Sequence, residues 1–357
     1  MGLARGIFTV DTHTHGQRHA FGFKKKGVDP DYAELSGGMA QIDAYDNSER
    51  MLYHMDRYEI DVCVLQPAFG MSNDINAQIV ENHPDRFIAM CRDVKTQHKS
   101  LRTGAPWSIK EAVKEIDDLL STGNFIGGIG ESIPHNRQPD AKRQTWDERM
   151  EEICPFMELA RKYKVPISYH TGIPSGYGGD VSRGRTQGHF ETSDAANPLL
   201  AHELAALYPD VNIILAHGGI EGSGYFKMYY EWCLNVAASH NNVFLECGQW
   251  WTDLYMTPLL DPNIGCEKLL FGTDWGASST AQSWMPGHVP QTYCNQDIKL
   301  GPPAHQIDIW GWALRQIGNL DIPQDDLNLI LGGNAVRLFG IKTPVTRLFK
   351  DYPKKQK

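Results

Sequence analysis

The sequence predicts an α/β chain folded as a single (β/α)8 barrel. Three observations carry that prediction. Apolar, strand-like runs alternate with amphipathic helical stretches along nearly the whole chain. The chain has 357 residues, enough for one large barrel with insertions. Polar residues stand at the C-terminal ends of runs 1, 4, 5, 6 and 8. A closed barrel gathers those ends at one mouth, whereas an open doubly wound sheet spreads them along an edge. No fixed-period repeat and no linker rich in Pro, Ser or charge divides the chain. Residues 1–357 are therefore read as one domain, with long loops over the C-terminal mouth and a basic tail at 345–357.

The first run, 6–10, leads into Asp11-Thr12-His13-Thr14-His15 and breaks at Gly16. Side chains two apart on a strand share a face, so His13 and His15 are expected to converge just past the strand's end. Two imidazoles so placed are half of a tetrahedral or five-coordinate metal site. A loop at 16–38 follows, in which Lys24-Lys25-Lys26 reads as a solvated face. Asn47-Ser48-Glu49 can cap a helix running to about Tyr58. Runs 61–66 and 87–91 are the second and third strands, with a helix at 76–82 between them. A helix over 108–120 has apolar Ile109, Val113, Ile116, Leu119 and Leu120 at helical spacing, and Ser108 with Glu111 as a capping box.

The fourth run, 125–131, is Gly-rich and ends in Glu131. After a helix at 146–164, the fifth run, 165–170, ends in His170. The loop 171–197 carries Arg183, Arg185 and His189. A helix at 198–208 starts with Pro in its first turn. The sixth run, 211–217, ends in His217 before Gly218-Gly219. A helix at 226–238 precedes the seventh run, 243–247, and the eighth, 268–274, ends in Asp274. A Pro-rich loop spans 276–303, and helices at 305–317 and 324–331 close the body.

Composition excludes several classes. Hydrophobic content of 41% and charged content of 22% are those of a soluble globular protein. No run is long enough to span a membrane, and the start of the chain has no apolar signal core. Met1-Gly2 lacks the Ser or Thr at position 6 that myristoylation requires. The seven cysteines are scattered and form no Cys-x-x-Cys pair, which fits reduced thiols in a cytoplasm. A net charge of −9 with no basic stripe argues against nucleic acid as a partner.

The segments 11–15, 166–172, 213–219, 270–275 and 330–340 together resemble the amidohydrolase superfamily. The likeness is to the branch containing aminocarboxymuconate-semialdehyde, resorcylate and carboxyvanillate decarboxylases and related hydrolases. The resemblance implies one divalent metal, zinc first and manganese or iron as alternatives, held by His13, His15, His170 and Asp274. It implies His217 as a catalytic residue beside the metal, and Asp274 can share in proton transfer. Glu131 reads either as a hydrogen-bonding neighbour or as a ligand of a second metal. The substrate expected is a small carboxylate, which Arg183 and Arg185 can clamp, with Trp250, Trp251 and Trp275 as pocket walls. Non-oxidative decarboxylation is favoured. The alternatives are hydrolysis of a C–N, ester or lactone bond, oxygen-dependent hydroxylation at a dinuclear iron or manganese centre, and a non-catalytic partner of an active paralogue. A homodimer, or a hetero-oligomer with such a paralogue, is the expected assembly. The sequence departs from those decarboxylases after Asp274, where Trp275-Gly276 replaces Pro-His, and at Cys247-Gly248-Gln249-Trp250-Trp251, which matches no known motif.

Overall fold

In the computed structural model the residues described are 6–19, 43–68, 71–131, 133–136, 138, 144–171, 197–221, 224–225, 227–275 and 309–342. Eight parallel strands follow one another around a barrel in chain order: β1 (Val10–Thr14), β2 (Val62–Leu65), β3 (Phe87–Cys91), β4 (Gly128–Ile129), β5 (Ile167–His170), β6 (Ile213–Ala216), β7 (Val243–Glu246) and β8 (Leu269–Leu270). The ring closes where the chain after β8 meets β1. There Thr12 N donates to Phe271 O at 2.8 Å, Asp274 N to His13 O at 2.8 Å and His15 N to Trp275 O at 2.7 Å.

Strand alternation sorts the core into two layers. Phe8, Val10, Val62, Val64, Ile88, Met90, Ile214, Phe244 and Leu270 fill the barrel's interior. Cys63, Leu65, Phe87, Ala89, Ile167, Ile213, Leu215, Val243, Leu245 and Leu269 face the surrounding helices. Those helices are α1 (Ser48–Tyr58), α2 (Asn73–Asn82), α3 (Val94–Thr103), α4 (Ile109–Ser121), α5 (Trp146–Tyr163), α6 (Pro198–Leu207), α7 (Lys227–Ser239), α8 (Met256–Leu260), α9 (Ile309–Gly318), α10 (Gln324–Asn328) and α11 (Asn334–Phe339).

The structure departs from the sequence expectations in local ways. Helix α3 was not expected, because its buried face is largely polar: Thr96, Gln97 and Ser100 lie inside with Val94 and Leu101. The fourth strand is only two residues long. Gly128 has φ +97°, and a Cβ there would lie 1.9 Å from Pro166 O, so the close approach requires glycine. Ser108 caps α4, but the Glu111 carboxylate pairs with Lys99 at 2.8 Å instead of completing the box. Thr145 and Glu148 form a complete box at the start of α5. A π turn, Leu329–Gly333, joins α10 to α11. It presses Gly332 against the lead-in to β1, where a Cβ would lie 2.0 Å from Phe8 O. Six cysteines are described, and none is in a disulfide. Among the described residues no helix is long and apolar enough to cross a membrane.

Candidate metal centre

A register shift in β1 aims the first two histidines. Val10 pairs with Val62 and Asp11 with Cys63, but Thr14 pairs with Leu65, so three steps along β1 match two along β2. The extra residue reverses the alternation. Val10 faces the barrel interior, and without the shift His13 and His15 would face the helices. With it both imidazoles turn inward at the mouth, and they are 0% and 1% exposed. His13 thus lies within β1 and His15 one residue past it.

Hydrogen bonds fix the orientation of both rings. His13 Nδ1 lies 2.8 Å from Glu246 Oε2, and His15 Nδ1 lies 2.7 Å from the Gln66 carbonyl oxygen. Both partners are acceptors, so both Nδ1 atoms donate and both Nε2 atoms face the mouth. His15 Nε2 then stands 2.8 Å from Asp274 Oδ1, and His13 Nε2 stands 3.8 Å from the same oxygen. Lone pairs of neutral imidazoles beside a carboxylate repel unless a positive charge joins them. A proton or a metal ion supplies it. Burial opposes charge on His13, but Glu246, Asp274 and Glu131 outweigh it and lift its pKa to about 10. The acidic groups therefore favour a cation here. One ligand atom each from His13, His15 and Asp274 lies within 4.8 Å of the others, a spacing that can hold a metal ion.

The other strand-end residues meet next to this cluster. His170, at the end of β5, has Nε2 3.5 Å from Glu131 Oε1. Burial raises the Glu131 pKa, yet His15, His170, His13 and Arg92 together bring it down to about 2, so Glu131 is ionised. The His217 ring lies 4.8 Å from the rings of both His13 and His170. Burial and the neighbouring histidines push its pKa well below the ordinary value, so it is neutral. Neither of its ring nitrogens has a hydrogen-bond partner, and nor does His13 Nε2. Buried polar atoms are rarely left so, and donors of this type fit a bound cation. Ligand atoms of Glu131, His170 and His217 form a second group within 4.8 Å of one another.

Two of these residues sit in strained backbone. His217 has φ +63° and Asp274 φ +59°, the left-handed region that favours glycine. Trp250 Nε1 donates to His217 O at 3.0 Å and Gln249 Nε2 to Asp274 Oδ2 at 3.4 Å, which holds both turns. Trp250 and Trp275, expected on a pocket wall, are both buried in packing. Trp250 meets Tyr230 and Tyr255 edge-on, and Trp275 stacks on Trp310 at 4.8 Å. Trp251 packs against Trp312.

Two acids beside the centre escaped the sequence reading. Glu246 ends β7 and is fully buried against His13. Its sequence signal is a carboxylate ending an apolar run, and β7 stops at Glu246, one residue short of the expected end at Cys247. Asp11 carried a weaker signal. Its carboxylate accepts from His13 N, Thr273 N, Thr273 Oγ1 and Trp310 Nε1, and so ties β1 to the chain after β8. Arg183, Arg185, Lys24-Lys25-Lys26 and the 345–357 tail lie outside the described residues.

Comparison with known proteins places this chain in a family. The amidohydrolase family profile matches residues 10–341, so the chain belongs to that family. A search of curated proteins by sequence returns no match. Among solved structures, a dihydroxybenzoic acid decarboxylase from Polaromonas with bound manganese and 2-nitroresorcinol is similar at 18% identity and TM-score 0.54, covering 95% of this chain and 98% of that one. A 5-carboxyvanillate decarboxylase from Novosphingobium aromaticivorans, complexed with manganese and 4-hydroxy-3-methoxy-5-nitrobenzoic acid, is similar at 14% identity and TM-score 0.56, with coverage of 95% and 98%. A probable 2-pyrone-4,6-dicarboxylic acid hydrolase from Acinetobacter baumannii, with citric acid bound, is similar at 13% identity and TM-score 0.53, with coverage of 93% and 99%. At these identities the likeness establishes the barrel fold.

Proposed function

We propose that this amidohydrolase-family chain is a metal-dependent enzyme acting on a small carboxylate-bearing compound, by non-oxidative decarboxylation first and hydrolysis of a C–N, ester or lactone bond second. The observation that carries the metal is the grouping of His13, His15 and Asp274, with one ligand atom of each within 4.8 Å of the others. His13, His15, His170 and Asp274 hold the ion in this reading. Mixed imidazole and carboxylate donors suit zinc, manganese and iron(II). The carboxylate substrate and the order of reactions rest on the decarboxylases and the hydrolase that share the fold.

A bound divalent cation supplies positive charge that draws electron density from a substrate carboxylate or carbonyl. His217 begins neutral and so accepts a proton first. In hydrolysis it takes that proton from the attacking water and passes it to the leaving group. In decarboxylation it takes a proton from a substrate hydroxyl. The carbon–carbon bond breaks, its electron pair stays on the substrate carbon, carbon dioxide leaves, and His217 returns the proton to that carbon. Asp274 is the next candidate for the same transfer.

A second reading has its own observation. Glu131, His170 and His217 form a donor group beside the first, and that arrangement suits a second metal and the oxygen-dependent hydroxylation reading. In that case His217 is a ligand.

The test is elemental analysis of protein purified without added metal, then reconstitution with manganese or zinc. The loaded protein is offered 2,6-dihydroxybenzoate, 5-carboxyvanillate and 2-pyrone-4,6-dicarboxylate. Turnover that a chelator abolishes supports the reading. Stoichiometric metal with no turnover of any carboxylate, and none with oxygen and reductant, leaves the non-catalytic partner.

A further inference from the structure

Glu246 lies where a carboxylate is expensive. It is fully buried at the inward-facing end of β7. Taking its charge out of water costs several kcal/mol on the order-of-magnitude scale for buried ions, unless hydrogen bonds and an opposite charge compensate. Three donors surround it. Oε2 accepts from His13 Nδ1 at 2.8 Å and from the His217 backbone N–H at 3.2 Å. Oε1 accepts from Thr12 Oγ1 at 3.5 Å. The barrel wall leaves room for it. A Cβ at Gly272, just past the adjoining strand β8, would come within 2.7 Å of Thr12 Oγ1 and 3.0 Å of Glu246 Cδ.

One oxygen thus touches two residues with chemistry at the mouth, through different atoms. On His13 it holds the imidazole side chain. On His217 it holds the main chain of a residue whose φ is +63°. We infer that Glu246 is a positioning residue that keeps the His13 Nε2 lone pair and the His217 ring aimed at one point. The inference rests on the metal reading above for its consequence, but its geometry stands without a metal.

A carboxylate behind a ligating histidine fixes the ring's tautomer and raises its basicity, and its loss lowers metal affinity roughly 10- to 100-fold. Glu246→Gln keeps an acceptor and removes the charge. Glu246→Leu removes both. The probes are Mn²⁺ alone, titrated into metal-free protein, and the 15N chemical shifts of the His13 and His217 rings in metal-free protein. Glu246→Gln should bind Mn²⁺ about 10-fold more weakly and Glu246→Leu about 100-fold. Glu246→Leu should also move the His13 Nδ1 15N resonance, because that nitrogen loses its acceptor. A His13→Gln, Glu246→Gln double variant should bind no more weakly than His13→Gln alone, because Glu246 acts through His13. A purely structural carboxylate would give additive losses. Wild-type affinity in Glu246→Gln, or an unmoved His13 Nδ1 resonance in Glu246→Leu, overturns the inference. If Glu246→Leu does not fold, the Glu246→Gln affinity and the double variant decide. If the wild type binds no Mn²⁺, the metal reading fails, and the His13 Nδ1 resonance alone judges Glu246.

Discussion

His15 and Asp274 lie 259 positions apart in sequence, yet Nε2 of one stands 2.8 Å from Oδ1 of the other. Barrel closure makes the contact, since His15 N and Asp274 N both bond across the seam between β1 and the chain after β8. Because Gln66 O already takes the His15 Nδ1 hydrogen, a second proton on the ring or a metal ion must join the facing atoms.

Removing a side chain that holds the proposed metal should remove the metal. Asp274→Ala, His13→Ala and His170→Ala should each lower bound metal sharply while the fold persists. Metal per chain by elemental analysis, with circular dichroism as a control on folding, is the measurement. Stoichiometric metal in both histidine variants would discard the ligand assignment.

Glu131 separates one metal from two. Its carboxylate is ionised and faces His170 at 3.5 Å. A dinuclear centre predicts close to two metals per chain in the wild type, falling toward one in Glu131→Gln. A wild type that holds no more than one under any loading confines Glu131 to hydrogen bonding and removes most of the hydroxylation case.

His54 gives a test of stability against pH. It is half-buried on α1, and burial, with the charges of Arg50 and Arg57, lowers its pKa from 6.5 to about 4. Above pH 6.5 it is neutral in both folded and unfolded chains. Between 6.5 and about 4 the unfolded chain takes the proton more readily, so stability falls as pH falls through that window. His54→Gln cannot titrate. Its melting temperature should drop less than the wild type's between pH 7 and pH 4.5, by roughly 2 °C. Equal drops would show that His54 contributes nothing to acid sensitivity.

How much of this was legible follows from whether each signal is local. An apolar run ending in His170, His217 or Asp274 is visible within six or seven residues, so the barrel could be read, although β6 and β8 stop at Ala216 and Leu270, before His217 and Asp274. The inward turn of His13 and His15 could not, because it depends on how β1 registers against β2. The positive φ of His217 and Asp274 follows from packing by Trp250 and Gln249, which are distant from one or both in sequence. Helix α3 stayed hidden because it buries polar side chains, including Gln97, whose Nε2 donates to His135 O at 2.6 Å. Hydrophobic periodicity carries no record of such a contact.

His217 separates a catalyst from a scaffold. It is buried, neutral and without a hydrogen-bond partner on either ring nitrogen, and the nearby rings of His13 and His170 are candidate ligands. If the metal needs only His13, His15, His170 and Asp274, then His217 is left to move the proton. General acid–base catalysis contributes roughly 10²–10⁴-fold. His217→Asn keeps a polar side chain of similar reach that cannot titrate. It should fold normally, retain its metal and lose kcat by about that factor, with KM little changed. Loss of metal in His217→Asn would instead make His217 a ligand and favour the dinuclear reading. Full activity would move the proton transfer to Asp274. The pH–rate profile distinguishes the remaining case. A wild-type acidic limb that disappears in His217→Asn identifies the titrating base as His217, whereas a limb that persists assigns it to another group.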